Sequence, residues 1–462
     1  MMRAYIQHAA ALLVAALCLL NAPQVRAELI AANSETRIAY LTPLRNGLSA
    51  LTLVWPMEDV TEKRADALAA GLLSVTSGGT ASRSPFEIHE YRKLNGIRQS
   101  IATTRTHLLF TISAPNEVFL ETLVHLENLL MQPTYSKGWF DRNLQLMHTT
   151  PSTLTRNPGD VLHEINSFLD YNSEEASPAQ FGPEFRFGQP SQAVLRSDDD
   201  VVKRRVSKLL AKLPRHAVNL RVTLPKWLEV MLGRDRFTYD LPSGTIHFQD
   251  PTSSEMLILL INAATFDNEE HIVGANLLAN HIGANQSAEM FLKLRQEMRA
   301  SYDPTSQFVM TDKNTAMIML SATVAADRWP QIYASINDIY SSVRSGDVSI
   351  PRLDKQHQTL SRSFSDDAYH NPVWTARQYL YEYPDGASGQ ISLPIFTALE
   401  AASTKNIIAN ASSYLPPLDD YLLILIGGGP TPSADLKANG YCPLPPNTPL
   451  KHCLQQLRTE GN

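Results

Sequence analysis

Leu108-Leu109-Phe110-Thr111-Ile112-Ser113-Ala114 and Met317-Ile318-Met319-Leu320-Ser321-Ala322 close on the same apolar-Ser-Ala step, 208 residues apart. Each has the period-two alternation of a strand. Working outward from this pair, the chain repeats itself. Leu51, Leu53 and Trp55 lie ahead of the first segment and Leu257, Leu259 and Ile261 ahead of the second, at an offset of 206, and each set reads as a strand with one buried face. Behind the segments come Phe119, Leu123, Leu126 and Leu130 in the first half and Trp329, Ile332, Ile336 and Ile339 in the second. Spacings of three and four place each set on one buried helix face. Near the end of each half a helix start is expected, at Ser197 before Asp198-Asp199-Asp200 and at Ser403-Thr404, followed by a last strand at 217–223 and 421–426. The three aspartates suit the positive end of a capped helix better than a metal site.

The chain is therefore two copies of one module of about 200 residues. Strands and helices alternate irregularly, which predicts an α+β fold, two homologous sheet-and-helix modules, rather than a wound parallel sheet. The expected boundaries are 1–27 for a leader, 28–228 for the first module, 229–245 for a linker, 246–430 for the second module and 431–462 for a proline-rich tail. Composition agrees with two folded domains: 462 residues, 44% hydrophobic and 19% charged. Forty Lys plus Arg against 46 Asp plus Glu gives a net charge of -6, with no basic run to track phosphates, which argues against nucleic acid as a partner.

Arg3 precedes an apolar stretch from Ala9 to Leu20, and Val25-Arg26-Ala27 follows with small residues at the two positions a signal peptidase reads. Cleavage after Ala27 is expected. The stretch is short of the roughly 20 residues that span a bilayer, so no membrane anchor is expected and the mature chain is read as a soluble periplasmic protein. Beyond the leader only Cys442 and Cys453 remain, and an oxidising compartment makes their pairing the default. Closing so short a loop contributes about 3 kcal/mol in the chain-entropy model.

Within the first module, Gly79-Thr80-Ala81-Ser82-Arg83-Ser84 opens a helix directly after an apolar one. In a duplicated module of this size, that step resembles the insulinase and pitrilysin-like zinc peptidases, which include the mitochondrial processing peptidase subunits. The likeness runs to about Gly429. It implies that each module packs helices on one face of a mostly antiparallel sheet and that two modules form one half of a clamshell.

Catalytic members of that family carry H-x-x-E-H on the helix ending just before the Gly-Thr turn. Two histidines one turn apart reach one zinc ion, and the glutamate takes a proton from the metal-bound water. Counted back from Gly79, the corresponding residues are Ala70, Leu73 and Ser74, none of which ligates zinc or acts as a base. The third family ligand, a glutamate, would fall within 146–155, a stretch without a carboxylate. No metal is therefore expected in this chain. Asp267-x-x-Glu270-His271 has the inverted spacing but sits in the second module, where the family holds no metal, and its plain reading is an acidic helix start. His125-x-Glu127 and His163-Glu164 lack a second histidine at a useful spacing.

The second module keeps a different family feature. Phe291-Leu292-Lys293-Leu294-Arg295-Gln296-Glu297-Met298-Arg299-Ala300-Ser301-Tyr302 is similar to the family's Leu-Arg…Tyr signature, with Ser301 where glycine or alanine is usual. Carried over, Arg295 grips substrate carbonyls and Tyr302 donates to the oxyanion. Some peptidases of this family are heterodimers in which one subunit holds the zinc and the other supplies the arginine and tyrosine. The resemblance thus implies a non-catalytic, activity-completing subunit, with zinc in a homologous partner subunit and an unfolded peptide as substrate; whether it homodimerises when alone is left open. The competing reading is a peptide-binding or scaffold protein without a protease partner. A neighbouring gene for a similar exported chain with H-x-x-E-H intact separates the two.

Overall fold

The computed structural model describes residues 26–27, 36–56, 72–103, 107–132, 134, 142, 189–213, 220–221, 241–311, 313–445 and 450–460. They form two compact units, divided for the most part at residue 237. In the first unit the strands β1 (Arg37–Tyr40), β2 (Leu48–Pro56), β3 (Arg98–Thr103), β4 (His107–Pro115) and β5 (Gln192–Arg196) lie in the order β1-β5-β2-β4-β3. β2 runs antiparallel to both β4 and β5, with Leu51 opposite Ile112 and Leu195, and Leu53 opposite Phe110 and Ala193. Helices α1 (Pro85–Leu94), α2 (Asn116–Met131) and α3 (Asp200–Lys212) belong to this unit, as does a helical turn over 72–77.

The second unit is built from β6 (Gly244–Gln249), β7 (Glu255–Thr265), β8 (Thr305–Met310), β9 (Thr315–Ala325), β10 (Leu422–Gly427) and β11 (Tyr441–Leu444), in the order β11-β6-β10-β7-β9-β8. Taken in the same direction as the first sheet, β6, β10, β7, β9 and β8 answer to β1, β5, β2, β4 and β3. The duplication expected from the sequence is therefore present in the topology, and the fold is α+β with a mixed sheet in each unit. Helices α4 (Glu269–Gly283) and α5 (Trp329–Arg344) pack on this sheet.

Three details depart from the sequence reading. First, β2 is buried along its whole length apart from its ends, so both faces of the strand are covered. The small hydroxyl residues that imitate a solvent face bond to one another instead: Thr52 Oγ1 lies 2.9 Å from Thr111 Oγ1, and Ser49 donates to Ser197 Oγ at 3.1 Å. A satisfied hydroxyl can be buried at little cost. Second, the strand answering to β10 is β5, at an offset of 230, not the segment at 217–223; of that segment Leu220–Arg221 pairs with Arg26–Ala27 rather than with the sheet. α3 follows β5, whereas the helix capped by Ser403 (Thr404–Ala409) precedes β10, so these two are not counterparts. Asp199, not Ser197, caps α3, accepting from Val201 N–H at 2.7 Å.

Third, the last residues belong to the second unit instead of trailing from it. β11 pairs parallel with β6, Cys442 opposite Ile246, and Cys442 is joined to Cys453 with the Cα atoms 5.6 Å apart. The disulfide ties this edge strand to the C-terminal helix (Lys451–Glu460). That helix sets Cys453, Leu454 and Leu457 against Ile246, Phe248, Leu259, Ile261, Leu422 and Ile424. On α5 the buried residues are Trp329, Ile332, Ile336, Tyr340 and Val343; Tyr340 takes the position that Ile339 was expected to fill, and its hydroxyl donates to Pro416 O at 2.7 Å. Among the described residues no helix is long and apolar enough to cross a membrane.

Candidate functional site

The residues singled out in the sequence lie in two places in the fold, one in each unit. In the first unit a helix covers 72–77 and ends on Gly78-Gly79. Ala70 lies outside the described residues. Leu73 is half-buried, and Ser74 is completely buried, with its carbonyl accepting from Gly78 N–H at 2.7 Å. A Cβ at Gly78 would stand 2.3 Å from that carbonyl oxygen and Gly79 has φ +108°, so the close exit from the helix needs both glycines. Thr80 and Arg83 then exchange backbone bonds of 2.8 and 3.3 Å, and Ser84 caps α1. Glu87 completes the capping box, its carboxylate accepting from Ser84 N–H at 2.7 Å, a bond that holds the acid below its usual range.

At the positions where the resemblance would put a metal, the described residues do not fit zinc. Leu73 offers hydrocarbon and Ser74 a neutral hydroxyl inside packed structure, where a metal site needs imidazole, thiolate or carboxylate. Among the described residues no group of three His, Cys, Asp or Glu side chains could hold a metal ion. The stretch 146–155 lies outside the described residues. Asp267, Glu270 and His271 form the start of α4: Asn268 caps it, accepting from His271 N–H at 3.0 Å, and His271 Nδ1 lies 3.6 Å from Asp267 Oδ2. His281, at the far end of α4, is buried and sits 3.4 Å from Glu289; burial pushes its pKa down.

The second unit brings Arg295 and Tyr302 together. Arg295 lies on Phe291–Glu297, which is a π-helix; such wide turns are uncommon and concentrate at functional sites. Its Nη1 donates to the Tyr302 carbonyl at 2.9 Å, and its guanidinium carbon stands 5.0 Å from the Phe291 ring centroid. One of five guanidinium N–H groups is used in that bond, and the arginine is exposed. The Tyr302 ring points away from the protein, 88% exposed. The turn between them is made by Arg299 in the left-handed region, φ 50°. Ser301 is buried and bridges to Val324 of β9, so it anchors this loop.

Sequence reasoning missed the π-helix, because Phe291 and Leu294 fit an ordinary helical spacing, and it missed Asp303. The Asp303-Pro304 dipeptide was a usable turn signal. The carboxylate of Asp303 accepts from Thr323 N–H at 3.1 Å and from the Thr323 hydroxyl at 3.0 Å, tying the residue after Tyr302 to β9.

No protein-family model matches the sequence, and no curated protein sequence does either. Solved structures do match in fold. An inactive domain of peptidase M16 from Pseudomonas fluorescens aligns with a TM-score of 0.59 at 12% identity, covering 86% of this chain and 97% of that one. A protease from Helicobacter pylori aligns with a TM-score of 0.61 at 11% identity over 84% and 96% of the two chains. The periplasmic protease PqqL from Escherichia coli aligns with a TM-score of 0.57 at 12% identity, over 84% of this chain and 43% of that longer one. This chain shares the two-module fold of these peptidases, the insulinase and pitrilysin-like architecture.

Proposed function

We propose that this chain is the non-catalytic, activity-completing subunit of an exported zinc metallopeptidase. It presents Arg295 and Tyr302 to a peptide held by a homologous partner that carries the zinc. One observation supports this reading above the rest: Arg295 is bonded to the carbonyl of Tyr302 and the tyrosine ring stands in solvent, in a chain whose metal positions hold Leu73 and buried Ser74. A ring this exposed contributes little to packing, and its phenol is open to a group outside the unit. The likeness to an inactive M16 domain supports the loss of the metal site, and the likeness to a periplasmic protease supports an exported location.

In this reading the guanidinium grips a carbonyl of the extended substrate before and during the reaction. The Tyr302 hydroxyl donates a hydrogen bond to the oxygen that turns negative as the scissile carbonyl is attacked. A zinc ion held by such a partner would supply the activated water. Mixing the two chains should create an activity that neither has alone. Tyr302→Phe should leave the heterodimer intact and lower kcat about 10²-fold, roughly 3 kcal/mol of transition-state stabilisation, while Arg295→Ala should also raise KM. A heterodimer that cleaves equally fast with both residues replaced would give the lead to a scaffold role.

A further inference from the structure

The exposed Tyr302 is held in place entirely from behind. On its N-terminal side the chain leaves the π-helix through Met298, whose N–H reaches Lys293 O at 2.9 Å, and Ala300, whose N–H reaches Leu294 O at 2.8 Å. On its C-terminal side Asp303 makes four bonds. Its Oδ1 accepts from Thr323 N–H at 3.1 Å and from the Ser301 hydroxyl at 3.2 Å; its Oδ2 accepts from the Thr323 hydroxyl at 3.0 Å; its own N–H donates to Ser301 Oγ at 3.4 Å. Pro304, buried, follows with a fixed φ and closes the exit. The segment 301–303 is thereby fastened to β9 on both sides of the tyrosine.

We propose that Asp303 is a positioning residue that fixes where Tyr302 presents its hydroxyl before substrate or partner arrives. The inference rests on the reading of Tyr302 as a transition-state donor. A donor misplaced by about 1 Å can lose on the order of 10²-fold in rate, so an exposed tyrosine can serve only if its backbone is rigid. Packing does not supply that rigidity here, because the ring touches solvent; the carboxylate supplies it, by spanning from Ser301 to the Thr323 backbone and side chain. Arg295 adds a third hold, on the carbonyl of Tyr302 itself.

The test begins on the whole chain alone, by amide hydrogen exchange. Asp303→Ala should raise exchange at Thr323 and across 300–303 about tenfold or more, with the melting temperature within about 2 °C of wild type. Asp303→Asn keeps the shape and one acceptor oxygen and should fall between the two, which guards against a general loss of fold in the alanine variant. With a zinc-bearing partner, Asp303→Ala should lower kcat about tenfold at unchanged KM. Combined with Tyr302→Phe it should add almost nothing, since a positioning residue has no effect once its hydroxyl is gone. Unchanged exchange in Asp303→Ala would overturn the proposal, as would full kcat in Asp303→Ala beside a large loss in Tyr302→Phe, and in that case the subunit reading would stand. Absence of any activity on mixing would instead count against the subunit reading, while the exchange data would still decide whether Asp303 holds the loop.

Discussion

The two units share a strand order and differ in how the helix end before Gly78 and the turn after Phe291–Glu297 are set. At the first, the helix over 72–77 is packed: Ser74 is wholly buried, its carbonyl accepts from Gly78, and Leu73 is half-buried. At the second, Phe291–Glu297 and the turn after it face outward, and their polar groups are organised by bonds within the loop and to β9. A buried position can absorb the loss of a ligand by packing, since an apolar or small residue in its place is no burden. At the exposed turn Arg295 stacks on Phe291 and bonds the Tyr302 carbonyl, while the Tyr302 ring gains little from packing. The same architecture thus holds a packed helix end in one unit and an exposed, ordered turn in the other.

The hardest way to break this contrast is to ask the first unit to bind metal again. Ser74→His forces an imidazole into a site with no exposure, and overpacking together with an unpaired ring nitrogen should cost about 3 to 5 kcal/mol, read as a lowered unfolding midpoint. The triple variant Ala70→His, Leu73→Glu, Ser74→His should therefore lose stability without gaining stoichiometric zinc; a triple variant with wild-type melting and one tightly held zinc would make the two units equivalent. A smaller effect belongs to the second unit. Replacing Cys442 and Cys453 by serine should cost about 3 kcal/mol, with increased hydrogen exchange confined to β6, β11 and the C-terminal helix, and the unmodified protein should show neither thiol on titration after denaturation.

The smallest effect is in the first unit and depends on pH. His125 on α2 is only 5% exposed, packs 4.9 Å from the Tyr91 ring, and has its pKa pushed down to about 4, by burial first and by Arg83 and Arg92 after that. The unfolded imidazole takes its proton near 6.5, the folded one only near 4. The contribution of His125 is thus fully present above pH 6.5, falls as pH drops from 6.5 to 4, and changes no further below that. Allowing for screening of the exposed Arg83, the loss is about 2 kcal/mol. Urea midpoints at pH 7 and pH 4.5 should differ less in His125→Gln than in wild type; equal differences would show that other groups govern the acid side.

Long, regular elements could be read from the sequence. Alternation located β2, β4, β7 and β9, and helical spacing located α2 and α5, because each is long enough for its period to show. β5 escaped, being five residues of Gln192-Ala193-Val194-Leu195-Arg196, all buried, with neither an alternation nor the common offset to mark it. The covered second face of β2 also escaped, since Thr52 and Ser49 look solvent-facing until their buried partners Thr111 and Ser197 are known. At the candidate site, the residue types at 73 and 74 and the spacing of Arg295 from Tyr302 were legible. The hold of Asp303 on Thr323 was not, because it depends on two segments 20 residues apart meeting across a β-bridge.

The pairing of β11 with β6 also orders events in time. During synthesis β6 emerges nearly 200 residues before the strand that covers its free edge, so that edge and the apolar surface beside it stay open until β11 has been made. The eleven-residue step from Cys442 to Cys453, by contrast, is a local closure that needs none of the preceding chain. Oxidation can therefore join strand and helix into one small ready-made piece that docks in a single step. Truncation of the last twenty residues, or release into a reducing medium, should accordingly show as slow refolding and aggregation of nascent chains before any change appears in the first unit.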